Sequence, residues 1–191
     1  YPVVAYYAKD TTLNGKSIEE VNTTLGKKHT AKQEAETIIE MMEKGGASMV
    51  FHGMSESDIK SIMRYPFNMF ASDASIRVYK EGNPHPRGYG TNARVLKKYV
   101  REEKLMPIEK AIYKMTGQSA DFFGFKERGR IAVGHYADLV LLDPNTVIDQ
   151  ANIKNSNALS TGIDMVWVNG TIVYQAQKTT GKQPGVLIKR K

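Results

Sequence analysis

The 191 residues are 41% hydrophobic and 25% charged, the composition of a chain that buries one sizeable core with at most a small appendage. No apolar run reaches the roughly 18 residues that span a bilayer, and the lack of cysteine excludes disulfides and thiolate ligands, so any metal bound here must use His or carboxylate. The net charge of +7 comes from lysines and arginines mixed with glutamates, as in Lys97-Lys98-Tyr99-Val100-Arg101-Glu102-Glu103-Lys104; this is the pattern of solvated helix faces and argues against nucleic acid as a partner, as the lack of a spanning run does against a membrane.

In chain order, Pro2 to Tyr7 is a β-branched and aromatic run that predicts a strand, and the polar Lys9 to Gly15 stretch predicts a loop. Ala31, Ala35, Ile38, Ile39 and Met42 recur at helical spacing between Thr30 and Lys44, and Gly45-Gly46 stops the pattern. Ser48 to His52 reads as a short strand. Ser55 and Asp58 open a helix with Ile59, Ile62 and Met63 on one face, and Phe67 to Ser72 reads as a third strand. Strand, helix, strand, helix, strand in this order predicts parallel βαβ units.

A long Gly- and Pro-containing loop follows Asp73. After it, Val95, Leu96, Tyr99 and Val100 predict the inner face of one helix, and Pro107 opens another carrying Ile108, Ala111, Ile112 and Met115 on one side. Phe122-Phe123-Gly124 closes the helical part. From Gly129 the character changes to short strands: Ala137 to Leu142, then Met165 to Tyr174 interrupted by Asn169-Gly170, a strong hairpin signal. The expected division is therefore residues 1–128, α/β, and residues 129–191, β-rich. The first residue is Tyr1 rather than Met, so the sequence is expected to be a piece of a longer chain whose own targeting signal would lie elsewhere; with no spanning run the piece reads as soluble, and its localisation stays open with the cytoplasm favoured.

Asp73 ends a predicted strand and opens the loop containing Pro84-His85-Pro86-Arg87-Gly88-Tyr89-Gly90-Thr91. In α/β barrels, chemistry sits at the C-terminal ends of strands, although an Asp at such a place also serves simply as a backbone cap. His52 reads as a satisfied rim histidine.

The run Met69-Phe70-Ala71-Ser72-Asp73, the His85-Pro86-Arg87 stretch, Tyr99-Val100-Arg101-Glu102-Glu103, and finally Gly129-Arg130-Ile131-Ala132-Val133-Gly134-His135-Tyr136-Ala137-Asp138-Leu139-Val140 occur in an order that resembles the closing third of the N-acyl-D-amino-acid deacylases, the D-aminoacylase branch of the metal-dependent amidohydrolases. The resemblance implies the last βα units of a (β/α)8 barrel over 1–128, followed by part of a small β-sandwich over 129–191. It implies amide hydrolysis with a divalent metal, zinc being expected. Asp73 matches the family's aspartate that touches the metal and takes a proton from the bound water, and Arg87 matches the arginine that binds the carboxylate of the N-acyl amino acid substrate. Guanidinium suits that role because its two parallel N–H groups meet two carboxylate oxygens. His85, between two prolines, is expected to pack or orient the loop.

Two departures stand out. Ala74 replaces the family's glycine after the aspartate, which restricts the backbone there, and Ile76, Arg77, Val78, Tyr79 and Lys80 fill the loop before His85. The family's remaining metal ligands, a His-x-His pair, a Cys or modified-Lys bridge and further histidines, find no match, so the chain alone is expected to be inactive. A barrel needs eight strands and about 250 residues, so three such units leave open sheet edges and a homo-oligomer is expected. Two other readings stay open: a cyclic amidohydrolase, dihydroorotase-like or hydantoinase-like, and a non-catalytic binding or oligomerisation domain.

Overall fold

The computed structural model describes residues 2–76 and 78–189. Arg77, one of the loop residues named above, lies outside the described residues. The chain forms two compact units, one built from 1–55, 73–89 and 151–158, the other from 56–72, 90–150 and 159–191.

In the first unit, strand β1 (Val3–Tyr6) is followed by a 3-10 turn (Thr11–Leu13), helices α1 (Ile18–Thr24) and α2 (Ala31–Glu43), and strand β2 (Ser48–Val50). Val4, Tyr7, Leu13, Ile18, Val21 and Met41 make its core. β1 pairs with β2 in antiparallel register, Val3 opposite Val50 and Val4 opposite Met49. The parallel βαβ expectation is thereby overturned: the segment just before α1 already runs back along β1, the Val4 N–H donating to the Lys16 carbonyl at 2.9 Å and the Ile18 N–H to the Pro2 carbonyl at 3.1 Å, and two helices rather than one precede β2. The signal for α1 is present in the sequence: Ser17 and Glu20 form a capping box, each side chain accepting from the other residue's backbone N–H.

The inward face of α2 also differs from the periodicity. Thr37 and Met41 are buried, while Ile39 and Met42 are 57% and 59% exposed. Thr37 Oγ1 donates to Asn22 Oδ1 at 2.7 Å and Asn22 Nδ2 donates to the Lys28 carbonyl at 3.0 Å, so a satisfied polar pair between α1 and α2 occupies the face that an apolar count gives to Ile39.

The second unit holds α3 (Glu56–Arg64), most of α4 (Arg87–Arg94), its continuation as a π-helical segment (Val95–Glu102), α5 (Ile108–Met115), α6 (Gly117–Phe123), and strands β3 (Leu139–Leu142), β4 (Ile163–Val168), β5 (Thr171–Gln175) and β6 (Lys178–Thr179). Met63, Ala93, Val95, Leu96, Tyr99, Met106, Ala111 and Val147 pack as its core. Phe67 to Ser72 forms no strand. The Phe70 N–H donates to the Lys114 carbonyl, and the Tyr65 and Asn68 carbonyls accept from Lys114 Nζ, so this backbone spends its polar groups on α5 rather than on a sheet. The same bonds invert part of the predicted α5 face: Lys114 is buried and Ile112 is exposed.

The four strands form one antiparallel sheet in the order β3-β4-β5-β6. The predicted hairpin is present. Asn169 and Gly170 both take positive φ, 48° and 78°, as a type I′ turn demands, between Val168 and its partner Thr171. Asp138, within the Ala-Asp-Leu-Val stretch, accepts from the Asn169 N–H at 2.8 Å and pairs with Arg128, whose Nη2 donates to Asn169 Oδ1 at 2.6 Å. The acidic residue of that stretch thus has a structural role, since it holds the hairpin turn. No helix among the described residues is long and apolar enough to cross a membrane.

Candidate active site

The loop from Asp73 to Tyr89 belongs to the first unit and is fixed by Asn83. The Asn83 N–H donates to the Ala5 carbonyl at 2.8 Å, its Nδ2 donates to the Ile153 carbonyl at 2.9 Å, and its Oδ1 accepts from Ser156 Oγ at 2.6 Å. Asn157 Nδ2 adds a bond to the Gly82 carbonyl at 3.0 Å. These ties join residues some seventy positions apart in the chain, and no local sequence pattern could reveal them. Pro84 is buried directly after this anchor.

The loop folds back so that Arg87 Nη2 lies 3.0 Å from Asp73 Oδ2, bringing together the two residues singled out by the sequence. Both remain accessible, with side chains 86% exposed for Asp73 and 45% for Arg87. With Pro84, His85 and Tyr89 they line a hollow of about 160 Å³. Ligand pockets commonly enclose roughly 300–1,000 Å³, so this hollow is smaller than an ordinary ligand pocket. Tyr89, to which the sequence alone assigns no role, packs edge-on against Tyr79 with ring centroids 6.1 Å apart.

The left-handed backbone falls on Asp73 itself, φ 48°, a conformation that Asp tolerates better than most residues. Ala74 needs no positive φ.

His85 Nδ1 accepts the Arg87 N–H at 3.0 Å. Burial, the Arg87 guanidinium and His52 hold the His85 imidazole below its ordinary pKa, favouring the neutral ring. His29 lies beside Thr23, its Nε2 3.3 Å from the hydroxyl, and His135 belongs to the second unit.

A metal fits poorly on these residues. Among the described residues no group of three or more His, Asp or Glu side chains could hold an ion, and the Asp73 carboxylate faces a guanidinium. A larger hollow of about 550 Å³ lies against β4 and β5, its floor made by Ile163, Val166, Val173 and Tyr174 with Ser160, Thr179 and Lys182 beside them.

The chain belongs to the Amidohydrolase family, whose model matches residues 4–174 and so spans both the Asp73–Arg87 loop and the Ala-Asp-Leu-Val stretch. It is 36% identical over 178 residues to the D-aminoacylase of Alcaligenes xylosoxydans xylosoxydans, covering 93% of this chain and 34% of that one. A solved D-aminoacylase with a binuclear metal centre superposes with a TM-score of 0.83 at 34% identity, over 95% of this chain and 36% of that chain. The N-acyl-D-glutamate deacylase of Bordetella bronchiseptica, solved with zinc and a phosphonate mimic of the tetrahedral intermediate, gives a TM-score of 0.81 at 31% identity, over 92% and 35% of the two chains. The chain spans about a third of the length of the curated relatives it matches.

Proposed function

We propose that the full-length protein hydrolyses the amide bond of N-acyl-D-amino acids, with Asp73 as general base and Arg87 as the clamp on the substrate carboxylate. The observation that carries this reading is the Asp73–Arg87 pair in one accessible hollow, in a chain alike to deacylases over most of its length. The substrate carboxylate takes the place of Asp73 on the guanidinium, which leaves the Asp73 carboxylate to accept a proton from the attacking water. The water oxygen bonds to the acyl carbon, the C–N bond breaks, and the proton passes to the leaving amine, giving a carboxylic acid and a D-amino acid.

A divalent metal, zinc by likeness to the N-acyl-D-glutamate deacylase, belongs to this proposal as a cofactor held mainly by residues other than those of this chain, Asp73 being the contribution from here. The 191-residue chain by itself is inactive in this reading. Residues 1–128 correspond to the last part of a barrel and 129–191 to one sheet of a sandwich; the change from helices to strands after α6 supports that boundary. Apolar side chains left open, among them Phe67, Ile131, Val133 and Val140, support coverage by further chain or by a second copy, so a homo-oligomer is part of the proposal.

The test is turnover of N-acetyl-D-glutamate and N-acetyl-D-methionine against their L forms by the full-length protein. Hydrolysis of the D forms that drops on Asp73→Asn supports the proposal. Equal turnover of D and L forms, or of a cyclic amide in preference to both, overturns it.

A further inference from the structure

We propose that His85 is a positioning residue for substrate binding: its ring sets the first turn of α4 and thereby the place from which the Arg87 guanidinium reaches the substrate carboxylate. The inference rests on the reading of Arg87 given above, and it is carried by the geometry between the loop anchor and the helix start.

Arg87 is the first residue of α4, so its backbone N–H is one of the donors that a helix start leaves without an intrahelical partner. His85 supplies two acceptors to this turn. Its Nδ1 takes the Arg87 N–H at 3.0 Å and its carbonyl takes the Gly88 N–H at 3.2 Å. Pro86, between them, has no N–H to offer and a fixed φ, and it accepts from Tyr89 at 3.1 Å through its carbonyl. On the other side, Pro84 is buried and Asn83 is bonded to Ala5, Ile153 and Ser156. His85 is thus the link between a firmly anchored loop end and the residue that must point at the ligand.

The bond also defines the ring. A nitrogen that accepts must present its lone pair, so Nδ1 is unprotonated and the proton sits on Nε2. An imidazolium would aim a second N–H at the Arg87 amide, and the neighbouring Arg87 and His52 disfavour that form. An ordinary helix cap such as Asn presents its oxygen at the place of Nδ1, whereas the amide of Gln lies one bond further out.

The experiment uses three variants of the full-length protein, His85→Asn, His85→Gln and His85→Ala, assayed with an N-acyl-D-amino acid and with the matching N-acyl amine that lacks the carboxylate. Loss of one aligned hydrogen bond predicts that KM for the acid rises roughly fivefold to tenfold in the Gln and Ala variants, with kcat nearly unchanged and Asn close to wild type. Turnover of the carboxylate-free amine should be the same in all four proteins. Equal KM values for Asn, Gln and Ala overturn the proposal, as does a fall in kcat that matches the fall in kcat/KM. If the Ala variant fails to fold, the Asn and Gln pair still decides. An independent readout is the ¹⁵N spectrum of the His85 ring in the full-length protein: an unprotonated Nδ1 with a protonated Nε2 is expected, and the opposite tautomer overturns the proposal without reference to activity. Failure of the Arg87 reading looks different: Arg87→Ala would then leave the preference for the acid over the amine intact.

Discussion

Lys114 Nζ lies 2.6 Å from the Tyr65 carbonyl oxygen, with the whole residue 1% exposed. A second bond, 2.7 Å to the Asn68 carbonyl, and the Phe70 ring 5.5 Å from the charge complete its surroundings. No carboxylate faces this ammonium in any of these contacts. It fastens the segment 65–70 to α5.

Replacing Lys114 by Met keeps the stem and removes the donors, leaving two carbonyls short of a partner. A cost of about 2 kcal/mol is expected, read as a lower urea midpoint with an unchanged slope. An unchanged midpoint would show that the two bonds contribute nothing net.

Burial first, and Lys110 second, push the Lys114 pKa below its ordinary 10.5. Between the lowered folded value and 10.5 the unfolded chain binds more protons than the folded one, so this group makes stability rise with pH across that window. The penalty is fully present below the folded value and is relieved as pH rises through it. The stability gap between wild type and Lys114→Met should therefore widen from pH 8 to pH 10, and a gap that narrows would contradict the assignment.

Gly162 has φ 80°, and a Cβ there would stand 2.5 Å from both Val147 Cα and Val147 N, which is backbone in a fully buried residue. Gly162→Ala must move that backbone and adopt a left-handed conformation, a combined cost of about 3 kcal/mol. Gly170→Ala meets nothing within 4 Å, so its cost is confined to the positive φ, about 1 kcal/mol. Thermal melts of the two variants check the ordering; equal melting temperatures would refute it.

The proposed roles of Asp73 and Arg87 separate in kinetics. Asp73→Asn in the full-length protein should lower kcat roughly 10²- to 10⁴-fold, the usual worth of a positioned base, and lower KM as well, because the carboxylate that competes for Arg87 in the resting pair is gone. Arg87→Lys should leave kcat nearly intact and raise KM about tenfold, since an ammonium cannot form two parallel bonds to a carboxylate. A KM that rises in Asp73→Asn would argue against displacement of one carboxylate by the other.

Elemental analysis gives a further check. After incubation with zinc and gel filtration, the 191-residue chain should retain well below one ion per chain, because its described residues bring no three ligands together. Stoichiometric retention would reveal a site assembled in another way, for instance between copies.

Patterns that depend on neighbours in sequence are legible without the structure. The Asn169-Gly170 hairpin requires only two residues able to take positive φ between alternating apolar strands, and both take it. The extents of α2 and α5 follow from periodicity and from Pro107. Their inner faces do not, because Thr37 and Lys114 are buried only by virtue of partners far along the chain, Asn22 and the carbonyls of Tyr65 and Asn68. The capping box at Ser17 is a local signal too, but a helix of only seven residues shows little periodicity.

The sequence by itself carried the family resemblance and, through it, pointed to Asp73 and Arg87 as the two residues that meet in the candidate site, since the runs that carry the resemblance are local motifs. Only the tertiary structure decided that Asp73 and Arg87 pair with each other, that Asn83 anchors the loop through Ser156 and Ile153, and that the left-handed turn falls on Asp73. The reason is physical: a side chain's type fixes what it can bond, but which partner stands within 3 Å is set by how distant segments pack, and that information is spread over the whole chain.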